Sequence, residues 1–388
     1  MSYPYVFIHG MLGFGQDEKV YPVFPYWGML AGDLVKMINQ NGGEACAPTI
    51  SSLGSAWDRA CEIYAQLVGG TVDYGAAHAK KYGHERFGRT YDKPLIPGWS
   101  SDKKIHIIGH SFGGATVRMF SHLMAHGAPE EVAETGDDTS PFFTGGKGDW
   151  LQSVTTVAGP HDGTSVMSAI GFLLPILKVV TFYGFAGVLG NTPGNQFYDM
   201  CLDHWGITSN PKGSCNFRNM LKFKAIKKAM DSKDNLYWDL CLAGAKEINE
   251  RIEINEEAYN FSISTSNTMT TRNGNQRMKI TSTFPVFHLT GNLIGKHRHE
   301  RFLDVDLDDA WLESDGASNT LSALHPSDEP FVYYYESRND LKRGIWNVMP
   351  VYQGDHMDVV GGSFRAAVNP YYIINYYKKY FALLEGLK

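Results

Sequence analysis

The stretch KKIHIIGHSFGGATVRMF, Lys103 to Phe120, constrains the fold of this chain more than any other. Ile105, Ile107 and Ile108 form an apolar run without alternation. That is the pattern of a strand buried on both faces, as in a parallel sheet. Ala115, Val117, Met119 and Phe120 then suit a helix packed on that sheet. Between them lies Gly109-His110-Ser111-Phe112-Gly113, a G-x-S-x-G corner. So tight a passage from strand to helix crowds the backbone, and the residues two before and two after its apex must be small. The apex serine is left with its Oγ exposed at a helix N-terminus, where partial positive charge favours a developing anion. Ser111 is therefore a candidate nucleophile. A Gly-rich turn with a serine cap is the plainer alternative.

Elements on either side extend the same pattern. Tyr5–Ile8 reads as a buried strand ending in His9-Gly10, Ala45–Pro48 as a short strand and Val154–Val157 as another buried one. Trp27–Gln40 has helical spacing, with Leu30, Leu34, Val35 and Ile38 on one face, and Ala56–Gly69 reads as a second helix. EPFVYYYES is strand-like. Asn369-Pro370 supplies a cap and a first-turn proline for a last helix carrying Ile373, Ile374, Tyr377, Phe381 and Leu384. Strands alternating with helices predict an α/β fold with a mostly parallel, doubly wound sheet. The 388 residues are read as one such domain, 1–388, with insertions at about 74–101 and 165–230. A further stretch, Asn267–Asp306, has few helical signals.

Composition narrows the function. A net charge of −6 without a basic block argues against a nucleic-acid partner. Five cysteines, an odd number with no C-x-x-C pair, read as free thiols rather than a disulfide framework. The most apolar stretch, Ala169–Gly190, is interrupted by Pro175, Lys178 and several glycines, which argues against a transmembrane segment. The N-terminus enters a strand directly, so the chain is expected to be either cytoplasmic or, the preferred reading, a secreted protein lacking its signal peptide.

A serine hydroxyl needs a histidine base, and the base needs an acid to set its tautomer. The G-x-S-x-G corner resembles that of the α/β-hydrolases, in which the chain order is Ser, then Asp or Glu, then His, and this implies a histidine in a late loop before the last helix. His356, in YQGDHMDVVGG, meets that requirement better than His161, His204, His288, His297, His299 or His325. The acid could be Asp304, Asp306, Asp308, Asp309 or Asp315; only Asp315 is followed by Gly316 and small polar residues, as in a turn that aims a side chain. An oxyanion would be held by two backbone N–H groups: that of Phe112, after the nucleophile, and that of Met11, in the Gly-rich loop after the first strand.

Taken together, FIHGMLGFG, WDRACEIYAQLVGGTVDYGAAHAKKYGHERFGRTY, IHIIGHSFGG, SVTTVAGPHDGTS, WLESDG and GDHMDVVG resemble the zinc-containing lipases of bacilli and staphylococci. The resemblance covers nearly the whole chain apart from Ser165–Met230 and Asn267–Asp306. It implies an α/β-hydrolase fold with an inserted zinc subdomain and a helical lid. It implies Ser111 as nucleophile, Asp315 as acid and His356 as base, with Met11 and Phe112 at oxyanion positions where the family commonly has Phe and Gln. It also implies one structural Zn²⁺ held by Asp58, His78, His84 and Asp239; His-x5-His alone is a weak metal signal. Asp358 matches an acidic position of a family calcium site, but VVGGSFRAAVNP lacks the Asp-Pro pair expected after it, and calcium is not expected.

The expected activity is carboxylic ester hydrolysis through an acyl-enzyme, on small or interfacial lipid esters. Met11, Phe14 and Phe112 suggest contact with an apolar acyl chain, Phe14 as a substrate-binding residue. The apolar segment SVMSAIGFLLPILKVVTFYGFAGVLG suggests a lid or rim that would admit bulky, even polymeric, esters. Phospholipase or acyltransferase chemistry with the same triad, or a non-catalytic binding protein of the same fold, are the alternatives.

Overall fold

A computed structural model of the chain describes residues 3–188, 198–207, 223–280, 283–336 and 340–388. Its centre is a seven-stranded sheet of β1 (Tyr5–Ile8), β2 (Ala45–Cys46), β3 (Ile105–His110), β4 (Leu151–Val157), β5 (Tyr259–Ile263), β6 (Phe331–Tyr333) and β7 (Trp346–Val348). The spatial order is β6-β7-β5-β4-β3-β1-β2, and every pairing is parallel. The chain runs outward from β1 to β2, then crosses back so that β3 lies on the other side of β1. Ligands of open parallel sheets bind at such a reversal, beyond the carboxyl ends of the strands.

Successive strand residues face opposite sides of the sheet, and each side has its own core. Val6, Ile8, Ile105 and Ile107 join the core beneath α2 (Ala56–Val68) and α4 (Phe112–His126). Tyr5, Phe7 and Ile108 join the core with α1 (Leu34–Gln40) and the last helix, α6 (Pro370–Glu385). Burial on both sides is why β1 and β3 are apolar without alternation.

Three sequence expectations need correction. The first helix begins at Leu34 instead of Trp27, with Asp33 as its cap, accepting from the Lys36 N–H at 3.1 Å. Gly28 and Gly32 before it have φ of 103° and 119°, which a helix cannot contain, so Leu30 lies exposed, off the buried face of Leu34, Val35 and Ile38. Second, Asn267–Asp306 contains a ten-residue helix, α5 (Pro285–Ile294), started by proline at its first turn. Third, Asn369 precedes α6 but its side chain makes no capping hydrogen bond.

In the 74–101 segment, α3 (Ala76–Tyr82) is followed by Phe87–Tyr91, which pairs antiparallel with Gly70–Asp73. Of the 165–230 segment, 189–197 and 208–222 lie outside the described residues; the remainder includes short helices at Val166–Ala169 and Leu174–Val179 and a π-helical stretch at Val180–Val188. Cys215 is also outside; the other four cysteines are buried and free. Among the described residues no helix is long and apolar enough to cross a membrane.

Candidate active site

The corner after β3 is built as its spelling requires. Ser111 has φ 58° and ψ −127°, a strained conformation for a non-glycine residue, stabilised by its N–H bond to Val157 O at 2.8 Å. A Cβ on Gly109 would lie 2.1 Å from Gly113 O, and one on Gly113 would lie 2.6 Å from Ile8 O, so neither position accepts a side chain.

Ser111 Oγ is 2.7 Å from His356 Nε2, and His356 Nδ1 is 2.8 Å from Asp315 Oδ2. These residues come from the loop after β3, the segment after β7 and a turn closed by the Ser314–Asn319 bridge. Asp315 is completely buried. Its Oδ1 accepts the N–H groups of Ala317 and Ser318 at 2.9 and 2.7 Å, and its Oδ2 also accepts from the Thr265 hydroxyl. Burial by itself would raise the pKa of this carboxyl, but His356 and these donors outweigh it and hold the group below its ordinary value.

A second chain of hydrogen bonds runs behind the serine. The Gly10 N–H donates to the Tyr26 hydroxyl at 2.9 Å, and Tyr26 lies 2.7 Å from His110 Nδ1. His110 Nε2 is 2.9 Å from His356 O. A carbonyl can only accept, so His110 carries its proton on Nε2 and Tyr26 donates to Nδ1. Burial pushes the His110 pKa down to about 3, so the ring is neutral. The chain ties the loop after β1 to the backbone of His356.

The serine opens into a cleft of about 320 Å³ lined by Met11, Leu12, Val166, Met167, Ile170 and Leu177 on one side and Val286 and Phe287 of α5 on another. Phe14 is not in that lining. Its ring packs edge-on against Tyr21, Tyr26 and Tyr198, because the Gly10–Gly13 turn sends Leu12 toward the cleft instead. The Phe112 side chain is likewise fully buried, beneath Arg59, and is not in that lining. Phe112 opens α4, where a backbone N–H has no partner within the helix.

A buried polar cluster lies at the start of α2. Asp58, His78, His84 and Asp234 offer ligand atoms that all lie within 4.8 Å of one another. His78 Nε2 is 3.3 Å from Asp58 Oδ1 and 3.2 Å from Asp234 Oδ1, and His84 Nε2 is 3.2 Å from Asp234 Oδ2. Asp58 Oδ1, Asp234 Oδ2 and both Nε2 atoms are buried without a properly directed hydrogen bond. Converging orphaned donors of this type fit a metal ion. His204 Nε2 supports the cluster from outside, 2.9 Å from Asp58 Oδ2.

The fourth residue of the cluster, its second carboxylate, is thus Asp234 and not the expected Asp239, whose Oδ2 accepts the Ala56 N–H at 2.8 Å, closing the first turn of α2. Burial raises its pKa to about 8. Sequence reasoning missed Asp234, and it also missed His204, Tyr26, His110 and Thr265. The one available signal was Asp234-Asn235 just ahead of a short helix, a pattern shared with ordinary caps. Asp358 has both oxygens claimed, Oδ2 by the Tyr352 and Tyr372 hydroxyls at 2.9 Å each and Oδ1 by Ser363, with Arg365 Nη1 at 3.8 Å. Hydroxyl donors and a guanidinium do not make the oxygen-rich cage that calcium needs, and these residues do not fit that ion.

The family model described as "Lipase-like, C-terminal domain" matches residues 1–381. The chain is 35% identical over 369 residues to Lipase 2 of Staphylococcus aureus, covering 94% of this chain and 51% of that protein. It therefore spans about half the length of the curated relatives it matches. The crystal structure of Staphylococcus hyicus lipase superposes with a TM-score of 0.84 at 32% identity, covering 99% of this chain and 96% of that one. Lipase 1 of Pelosinus fermentans gives 0.79 at 32% identity, covering 100% and 99%. With a serine, a histidine and an aspartate in line at the mouth of an apolar cleft on an α/β sheet, the chain belongs to the lipase-like C-terminal domain family of bacterial lipases.

Proposed function

We propose that this chain hydrolyses carboxylic esters with apolar acyl groups, through Ser111, His356 and Asp315. The observation that carries the reading is the line Ser111 Oγ–His356 Nε2–Asp315 Oδ2, at 2.7 and 2.8 Å, opening into the apolar cleft. His356 takes the serine proton as Oγ attacks the ester carbonyl, and Asp315 stabilises the imidazolium that forms. The amides of Met11 and Phe112 hold the oxyanion. His356 returns the proton to the leaving alcohol, then takes one from the water that splits the acyl-enzyme and passes it to Ser111.

The lining favours a carboxylic over a phosphoric ester: among the described residues it contains no Lys or Arg to bind a phosphate. Exposed apolar side chains continue the cleft outward, Phe172, Ile176 and Val180 on one side and Val286 and Leu289 on α5. Patches of this kind mark binding surfaces, and the rim is suited to esters presented at an oil or polymer surface. An extracellular location fits such substrates and the staphylococcal relatives.

Asp58, His78, His84 and Asp234 are assigned as ligands of one zinc ion, two imidazoles and two carboxylates being a suitable set. Four protein ligands leave no open position, so the ion would cross-link α2 and α3 to the segment before Asp239 and take no part in turnover. The test is Ser111→Ala with labelling by an alkyl phosphonate. Loss of hydrolysis by at least a thousandfold, and of the covalent adduct, in a protein of unchanged melting temperature is expected. Activity within tenfold of the parent refutes the assignment of Ser111.

A further inference from the structure

Arg59 follows the metal-cluster residue Asp58 on α2 and has no solvent exposure. Its Nη2 donates to His9 O, one residue before Gly10-Met11. Its guanidinium carbon lies 5.0 Å from the centre of the Phe112 ring. Nε and Nη1 make no hydrogen bond to the described residues. Among those residues no carboxylate oxygen comes within ion-pair distance of Arg59; the nearby Glu62 is committed to the Ser51 N–H at 2.6 Å and the Tyr74 hydroxyl at 2.9 Å. An arginine guanidinium keeps its charge at neutral pH even in a buried setting.

A buried cation with unpartnered N–H groups is costly to the fold, and an apolar side chain of similar volume would pack there with less loss. Such departures from good packing chemistry concentrate at functional sites. The contacts of Arg59 say which function. One holds the backbone immediately before Met11. The other covers the ring of Phe112, the residue that follows Ser111 and opens α4. These are the two arms of the oxyanion site. A fixed positive charge behind them also opposes the negative charge that appears on the ester oxygen only in the transition state, and it needs no reorganisation to do so.

We infer that Arg59 is a positioning residue for the oxyanion site, setting the separation of the Met11 and Phe112 amides and favouring the tetrahedral intermediate over bound ester. The inference rests on the ester-hydrolase reading above.

The test uses the whole chain carrying Arg59→Gln, Arg59→Lys or Phe112→Leu, the last removing the covered ring but keeping the amide. Each is assayed for kcat and KM on a soluble short-chain nitrophenyl ester and for inhibition by an alkyl trifluoromethyl ketone, which forms a tetrahedral oxyanion adduct with the serine. Arg59→Gln should lose kcat by about thirtyfold with KM within about twofold. Arg59→Lys, which keeps the charge but not the planar fork, should fall between it and the parent. Across the variants the ketone should weaken in proportion to the loss in kcat/KM. A folded Arg59→Gln enzyme with kcat within threefold of the parent overturns the inference, as does a fall in kcat with unchanged ketone affinity. If Arg59→Gln does not fold, Arg59→Lys and Phe112→Leu decide by the same proportionality. A parent enzyme inert to esters and to phosphonate overturns the ester-hydrolase reading and this one with it, whereas an active parent with indifferent Arg59 variants overturns this one alone.

Discussion

Asp315→Asn should abolish turnover while leaving the fold almost untouched. Asp315 Oδ1 faces two backbone N–H groups, those of Ala317 and Ser318, which can only donate. An asparagine must therefore put its carbonyl oxygen there and its NH₂ where Oδ2 now faces His356 Nδ1. The NH₂ then donates to Nδ1, with its other hydrogen directed to Thr265. Every partner is still satisfied, but His356 is forced to carry its proton on Nε2, toward Ser111, and cannot accept the serine proton. A wrong tautomer of this kind costs about four orders of magnitude in kcat, or about 5 kcal/mol of transition-state stabilisation. The four charge-assisted bonds to Asp315 become neutral, about 1 kcal/mol each, offset in part by removing a buried carboxylate, so the melting temperature should stay within about 5 °C. The assays are steady-state hydrolysis of a nitrophenyl ester at pH 8 and thermal melting of the same samples. A kcat within tenfold of the parent refutes the tautomer argument, and so does a loss matched by a collapse in melting temperature. Asp309→Asn, at an exposed side chain paired with Arg298, should change neither reading.

The metal assignment separates two neighbouring acids: elemental analysis should give one zinc per chain for the parent and for Asp239→Asn, whose carbonyl can still accept the Ala56 N–H, and none for Asp234→Asn. A strong chelator should lower the melting temperature before it affects turnover at room temperature, and a metal-free protein with an unchanged melt would show the cluster to be only polar packing. Tyr26→Phe leaves the Gly10 N–H and His110 Nδ1 without their partner, and should cost about 1–3 kcal/mol in denaturant unfolding and about tenfold in kcat; full activity would separate that chain of hydrogen bonds from catalysis. Phe172→Ser with Ile176→Ser should reduce hydrolysis of emulsified triglyceride at least fivefold more than that of a soluble ester, and equal losses on both would remove the rim from the account.

Local chemistry made the corner that carries Ser111, the proposed nucleophile, legible. A serine between glycines at a strand-to-helix corner is dictated by contacts within a few residues, such as the 2.1 Å that a Cβ on Gly109 would have to Gly113 O. The buried strands were legible for a similar reason, since burial on both faces leaves no alternation in the residues themselves. His356 came from chain order, and Asp315 from a turn that its own carboxylate closes. Other residues depended on which distant segments meet. Asp234 and Asp239 are five residues apart, and both are buried acids beside the start of α2. Only the packing of that helix against this segment turns one toward two histidines and the other toward the Ala56 N–H. Phe14 and Leu12 lie in one Gly-rich loop, and a single backbone bond from the Gly13 N–H to Gly10 O accompanies the turn that exchanges their roles. Arg59 and His110 stand inside quoted motifs and Tyr26 in none, but nothing in the sequence marks what they hold, because a residue that works by holding another residue's backbone is identified by its neighbour across the fold, and that neighbour can be any amino acid.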